Sequence, residues 1–288
     1  MTAPSPEAAA KAAARSGRLP LSVVMIALDE EARIGRALAA VEQLADDIVV
    51  VDSGSSDRTR AIAESHGARV FERAFDGYGP QKRHAEDLAR NDWLLNLDAD
   101  EEVSPALADE VRALFRNGPP PPAAYALWVL TVYPGERRPR PLARDYLIVR
   151  LYHRAAGRYR NHPLHDRVVL VPGVVAGRLR APVWHHPVVS FEQMVEKANR
   201  FSSFQARSGR PRRRWTLLVR LPIEMPYWFV RTYFLRGHVT GGWKGFVFSL
   251  NQAFMRMLKI AKTLERMDAE AAARAPAAPS RVQRIRTP

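Results

Sequence analysis

Residues 94–102 read Leu-Leu-Asn-Leu-Asp-Ala-Asp-Glu-Glu, an apolar run that passes straight into two carboxylates one residue apart, Asp98 and Asp100. A strand ending in Asp-x-Asp can set both side chains beside a metal-bound diphosphate. The same grammar recurs upstream. Residues 48–57 are Ile-Val-Val-Val-Asp-Ser-Gly-Ser-Ser-Asp, and residues 21–28, Leu-Ser-Val-Val-Met-Ile-Ala-Leu, precede Asp29 and Glu30. Between these runs the apolar spacing turns helical. Residues 30–44 place Ile34, Leu38 and Val41 on one face. Ser55 or Ser56 caps a helix over 57–66, and residues 81–89 form another. A short strand begins at Val70 and Phe71, and the next covers 93–97. Strand, helix, strand, helix, strand in this order predicts an α/β fold with a mostly parallel sheet covered on both sides. Ligands of such sheets bind beyond the carboxyl ends of the strands, where Asp29, Asp52 and Asp98 all fall.

Further along, Ser104 and Pro105 open a helix over 105–115, and a proline-rich loop occupies 118–122. Strands are predicted at 124–133, 147–153 and 167–171, and a helix at 191–206. Residues 135–144, Gly-Glu-Arg-Arg-Pro-Arg-Pro-Leu-Ala-Arg, form a basic irregular loop. The 288 residues contain no cysteine, which excludes disulfides, thiolate catalysis and cysteine-based zinc sites. The net charge of +14 is unevenly spread. Residues 1–125 carry 14 Lys and Arg against 21 Asp and Glu, a net of −7, and the remainder carries +21. The acidic motifs thus occupy one half, and the field of the other suits an anionic partner.

The last third is apolar and aromatic but interrupted. Arg220, Pro222, Glu224, Pro226 and Arg231 break the run 215–235, which excludes a membrane span. Phe246, Leu250, Ala253, Met257, Ile260 and Leu264 make a helical stripe, with Arg256, Lys259, Thr263 and Arg266 on the other side. Trp228, Phe229, Tyr233, Phe234 and Trp243 stand among Arg and Lys, as on an interfacial membrane surface. A helix packed on the rest of the protein with its basic side in water is the alternative. Residues 1–18, rich in Ala and Pro, lack the apolar core of a signal peptide.

The chemistry follows from the carboxylates. Asp100 is the direct ligand of Mg²⁺ or Mn²⁺, with Asp98 on a ribose or a bound water. Asp52 accepts hydrogen bonds from a uracil ring or ribose beside the tight turn at Gly54. Asp29 and Glu30 line the nucleotide pocket, and Gln81, Lys82 and Arg83 face donor phosphates. A second cluster, Asn161-His-Pro-Leu-His-Asp166, offers Asp166 as the general base that takes a proton from an acceptor hydroxyl. His165 orients it or meets the diphosphate, and His162 is the weaker choice. His185 and His186 lack zinc spacing and help close the site. Helix capping and loop hydrogen bonding are the competing roles for these polar residues. No Gly-x-Gly-x-x-Gly or phosphate-loop motif supports a dinucleotide or ATPase reading.

These residues resemble family 2 of the glycosyltransferases, and more narrowly the bacterial lipopolysaccharide core-biosynthesis β-1,4-glucosyltransferases. The likeness runs through Leu21–Ala27, Glu30-Glu31, Val51–Thr59, Gly67–Val70, Gly79–Arg83, Asp92-Trp93 and Asp98–Glu101. It continues more loosely through Val149–Tyr152, His165-Asp166 and 234–245. It implies a GT-A fold, the Rossmann-like nucleotide-diphospho-sugar transferase architecture, with a mostly parallel central sheet and a helical, basic C-terminal extension. The expected layout is a disordered segment 1–19, a catalytic domain 20–210 with donor half 20–125 and acceptor half 126–210, a membrane-associated helical region 211–268 and a tail 269–288. The implied reaction is inverting transfer of a hexose, glucose from UDP-glucose, to a lipid-linked or lipopolysaccharide-core glycan at the inner face of the cytoplasmic membrane. By the same likeness Ala27, Asp29, Glu30, Asp52, Lys82, Asp98 and Ala99 bind the donor, Asp100 and Asp98 the metal, and Asp166 with His165 performs catalysis. Asp166 stands where the group commonly has His-Glu. Region 134–146 departs too, with a Pro/Arg-rich loop in place of an Arg-His-x-Gly-Trp-Tyr-Pro-like segment, which implies a different acceptor site. A nucleotidyltransferase, or a nucleic-acid- or lipid-binding module built on the basic half, are the competing functions.

Overall fold

The computed structural model describes residues 17–142, 144–163, 167–208 and 213–274. The chain divides into two compact units, one up to Phe191 and one from Glu192.

The first unit is built on strands β1 (Leu19–Ala27), β2 (Ala45–Asp52), β3 (Arg69–Glu72) and β4 (Trp93–Asp98). Helices α1 (Ile34–Ala39), α2 (Thr59–Ser65) and α3 (Tyr78–Leu88) connect them. After β4 come β5 (Glu101–Val103), α4 (Pro105–Leu114), β6 (Ala124–Thr131), β7 (Tyr146–His153), β8 (Gly157–Tyr159), β9 (Val168–Leu170), β10 (Gly177–Arg178) and β11 (Val183–His185). The main sheet runs β3-β2-β1-β4-β7-β6-β11-β5, with β10 beside β6, and β8 and β9 form a separate pair. Five of its pairings are parallel and three antiparallel, so the mostly parallel expectation holds. The antiparallel ones begin at β7, beyond the β3-β2-β1-β4 block.

The strands read as unbroken apolar runs because both faces are covered. Val23 and Met25 of β1 pack with Ile34 and Leu38 of α1 and with Leu107 and Val111 of α4. Val24 of β1 joins Val49 and Val51 of β2, Ala85 of α3, Tyr152 and Tyr159 on the other face. As expected, Ser104 caps α4, accepting from the Leu107 N–H at 3.2 Å. Two helices are shorter than expected. Helix α1 begins only at Ile34, and ahead of it the N–H groups of Glu30 and Glu31 donate to the side chains of Thr59 and Asp57. Neither Ser55 nor Ser56 caps α2, since Ser55 is bound to Asp52 and Ser56 to Asp29.

The second unit is helical. It comprises α5 (Phe191–Ser208), α6 (Arg214–Val230), a π-helical turn (Arg231–Leu235), a 3-10 turn (His238–Gly241) and α7 (Gly242–Arg274). Helices α6 and α7 meet through Leu217, Ile260 and Leu264, flanked by Leu221 and Met267. Lys262 of α7 ties α5 down, donating to Asn199 O at 2.8 Å and Ser203 Oγ at 2.8 Å. The predicted stripe is corrected at its start. Phe246 and Leu250 are exposed, and Gly245, Phe248 and Ser249 are buried instead. The first turns of α7 are apolar all round, so periodicity alone cannot choose the face. Among the described residues no helix is long and apolar enough to cross a membrane.

Candidate active site

The site gathers where the sheet order reverses. Strand β1 has β2 on one side and β4 on the other, and its last residues pair Ala27 with Asp52 and Ile26 with Asp98. The two carboxylates therefore flank the end of β1, in the crevice that such a switch point opens. The loop after β1 and the loop after β2 clasp each other. Asp29 adopts a left-handed φ of 52° and accepts from the Ser56 N–H at 2.8 Å, while its own N–H donates to Ser55 Oγ at 2.9 Å. The Asp52 carboxylate is fully buried and accepts from the N–H groups of Gly54 at 3.0 Å and Ser55 at 2.8 Å. Glu30 is held by Arg33, whose other nitrogen reaches the Pro187 carbonyl at 2.8 Å. Ala27 closes the arrangement, its carbonyl accepting from the Ser53 N–H at 2.9 Å.

Asp98, at the end of β4, carries a cation on each oxygen. Lys82 Nζ of α3 lies 2.7 Å from Oδ1, and Arg150 Nη2 of β7 donates to Oδ2 at 2.8 Å. Arg150 is buried and also donates to Glu101 Oε1 at 2.6 Å and to Asn96 Oδ1 at 3.0 Å. Glu101 completes the knot by accepting the Asp98 N–H at 3.0 Å. Burial alone would raise the Asp98 pKa, but the charges of Arg150 and Lys82 outweigh it and hold the carboxyl well below the usual range. Burial, joined by the charge of Asp98, pushes Glu101 up against the pull of Arg150. Desolvation of its hydroxyl and then the charge of Glu101 also raise the phenol of Tyr146 at the start of β7, although the residue as a whole is partly exposed.

Lys82, placed by its sequence near donor phosphates, is buried against Asp98 and the Tyr159 ring. Its helix is anchored by Glu86, which accepts from Tyr152 Oη at 2.6 Å and from the Tyr159 N–H at 2.9 Å. The first turn of α3 packs directly on residues 160–163. The Tyr78 N–H donates to the Pro163 carbonyl at 3.1 Å, and a Cβ on Gly79 would stand 2.2 Å from the Arg160 carbonyl. The start of the second sequence cluster, with His162, thus lies against the helix that carries Lys82. His165 and Asp166 lie outside the described residues.

Asp100 and the buried Ala99 follow β4. Strand β11 returns antiparallel to β5, with His185 opposite Glu101, and brings His185 Nε2 to 3.3 Å from Asp100 Oδ2. His186 donates its N–H to the Asp100 carbonyl at 2.8 Å, and its ring bridges Arg36 and Glu102, each at 3.0 Å. Among the described residues no group of three or more His, Asp or Glu side chains could hold a metal ion. The Asp100 carboxylate still fits a divalent cation that draws its other ligands from water and phosphate, as Mg²⁺ does, with His185 beside it to position that carboxylate. Asp98, with both oxygens already on cations, is the poorer donor. Sequence reasoning counted Glu101 and Arg150 in the family likeness without giving them a role, and it missed Tyr146. Arg150 had one usable signal, a single charge at the centre of an apolar strand.

The model of the family described as Glycosyl transferase family 2 matches residues 22–186. An uncharacterised glycosyltransferase of Rickettsia felis is 38% identical over 253 residues, spanning 85% of this chain and 89% of the relative. The lipopolysaccharide core biosynthesis glycosyltransferase LpsC of Rhizobium meliloti is 30% identical over 267 residues, spanning 86% of this chain and 93% of the relative. Among solved structures, glucosyl-3-phosphoglycerate synthase from Mycobacterium tuberculosis, in complex with Mn²⁺, UDP and glucosyl-3-phosphoglycerate, is 25% identical, with a TM-score of 0.31 over 47% of this chain and 51% of that one.

Proposed function

The chain belongs to family 2 of the glycosyltransferases, and from that premise we propose an inverting enzyme that moves a hexose, glucose from UDP-glucose, to a lipid-linked or lipopolysaccharide-core glycan. The observation that carries the reading is the pairing of Asp52 and Asp98 with the last residues of β1 at the switch point, with the Asp100–His185 contact beside them. Family membership sets aside the nucleotidyltransferase and the non-enzymatic binding module.

In this reading the nucleoside lies on the clasped loops, against Asp29, Glu30 and Asp52, with Ala27 and Ala99 as the small residues that let it approach. A divalent cation, Mg²⁺ or Mn²⁺, would be held by Asp100 with His185 and Asp98 nearby, and supplies positive charge to the departing diphosphate. Lys82 and Arg150 fix the Asp98 carboxylate, so it is ionised and oriented before substrate arrives. Asp166 takes the proton from the acceptor hydroxyl, oriented by His165. A positioned base of this kind contributes roughly 10²–10⁴-fold in rate. The LpsC likeness supports a core glycan as acceptor. The exposed aromatic and basic surface of the second unit supports attachment at the inner face of the cytoplasmic membrane.

Purified protein given UDP-glucose, Mg²⁺ or Mn²⁺ and a core glycolipid is expected to release UDP only when acceptor is present. Asp100→Asn should lower turnover at least about 10²-fold while retaining the fold. Asp166→Asn should remove transfer while leaving UDP binding intact. Unimpaired turnover in either variant sinks that residue's role, and silence across a panel of sugar donors and glycolipid acceptors sinks the reaction.

A further inference from the structure

The basic loop in which this sequence departs from the group it resembles leads to a groove that the transfer chemistry does not use. Trp128, Leu130, Leu142, Arg144, Arg178 and Arg180 line a cavity of about 350 Å³. The guanidinium carbons of Arg178 and Arg144 lie 5.1 and 5.8 Å from the centre of the Trp128 ring. Leu130 is in parallel register with Trp184, which puts a second indole on the same sheet face, and Arg138 lies 5.8 Å from that ring.

Among the described residues no carboxylate pairs with Arg144, Arg178 or Arg180. The acids bonded to neighbouring backbone are already engaged: Glu110 accepts the N–H groups of Arg180 and Ala181, and Asp145 accepts that of Thr131. Arg178 and Arg144 each gain from the Trp128 ring, but their like charges repel one another, and an anion between them offsets that repulsion. A guanidinium fork matches phosphate or carboxylate geometry, and an indole face offers a flat apolar surface to the C–H side of a sugar ring. The volume lies within the range of small-molecule sites.

The groove is separate from the reacting centre. Trp128 and Leu130 alternate along β6 with Val129 and Thr131, and Thr131 is the register partner of His185. The groove and the Asp100–His185 contact therefore occupy opposite faces of the β6–β11 pair.

We propose that this groove binds an anionic sugar, a phosphate- or carboxylate-bearing unit of the acceptor glycan remote from the hydroxyl that reacts. Its identity as an acceptor site rests on the transfer reading above, but the binding itself is measurable without turnover. Calorimetric titration of the full chain with glucose 6-phosphate, methyl glucoside and inorganic phosphate tests it. Glucose 6-phosphate is expected to bind at least about tenfold more tightly than either of the others, and Arg144→Ser/Arg178→Ser to weaken it at least about tenfold. Trp128→Ser should erase the preference over inorganic phosphate, and Asp100→Asn should leave the affinity in place. Equal binding of phosphate and glucose 6-phosphate overturns sugar recognition, and unchanged binding in the double arginine variant overturns the site. Arginine-dependent binding of phosphatidylglycerol vesicles without glucose 6-phosphate binding would reassign the groove to a membrane and overturn it. Normal transfer with an empty groove counts against the groove alone, and an occupied groove without transfer counts against the reaction alone.

Discussion

At Asp98 a single carboxylate holds two cations from distant parts of the chain, Lys82 at 2.7 Å and Arg150 at 2.8 Å. Because its folded pKa is depressed, its ionised form adds stability that is fully present above the unfolded value of about 4 and is lost as the pH falls toward the folded one. The gap in urea midpoint between wild type and Asp98→Asn is therefore expected to narrow between about pH 5 and pH 3. A gap that widens on acidification contradicts the pairing. Arg150 is the more demanding residue, since it is buried beside the fully buried Glu101. Arg150→Met leaves both carboxylates without their shared cation and should cost about 3–5 kcal/mol in denaturant unfolding. Arg150→Lys, which keeps the charge and loses the fork, should recover part of that. A Met variant as stable as wild type would rule out the bridging role. Asp98 was legible because it closes an apolar run. Arg150 was not, because it lies 52 positions further on and only the antiparallel entry of β7 brings it to β4.

Among the elements, α3 is the one whose placement the site depends on. Its first turn touches backbone at Gly77 and Gly79, where a Cβ would meet Pro163 at 2.5 Å and Arg160 at 2.2 Å. Gly79→Ala is expected to push α3 off residues 160–163, with a stability loss of about 1–3 kcal/mol and a drop in turnover from a displaced Lys82. Wild-type stability and turnover in this variant would show that the close approach is dispensable. The helix was readable from its periodicity and its glycines were not, since close approach is a property of the partner segment. The shortened α1 and α2 make the same point. Their capping residues look ordinary in sequence, but in the fold they bond across two loops 26 and 27 positions apart.

For the whole molecule, the charge split follows the order of the chain. The acidic half supplies the strand-end carboxylates, and the basic part contains the arginine groove and the helical unit. In that unit Trp215, Leu235 and Trp243 are 61%, 79% and 64% exposed. The guanidinium carbons of Arg256 and Arg231 lie 4.2 and 5.1 Å from the centre of the Trp228 ring, and its indole N–H donates to Glu224 at 3.1 Å. Interfacial aromatic groups interleaved with arginine favour an anionic bilayer surface. The chain is expected to float with phosphatidylglycerol vesicles and to lose about tenfold in affinity when Leu235 and Trp243 are changed to Ser. Added salt should weaken binding further. Equal flotation of wild type and the double variant would exclude this surface.

The sequence by itself determined the α/β class, the parallel β3-β2-β1-β4 block and the acids at its strand ends, because apolar periodicity and strand-end carboxylates are local patterns. Only the tertiary structure decided which charges neutralise them. Lys82, Arg150, Glu101 and His185 reach the site through sheet order and register, where pairing is set by burial of both sheet faces. The same holds for the arginine groove, whose residues come from β6, the loop before β7 and the stretch around β10. Their charges add to one field only once the fold has brought those segments together.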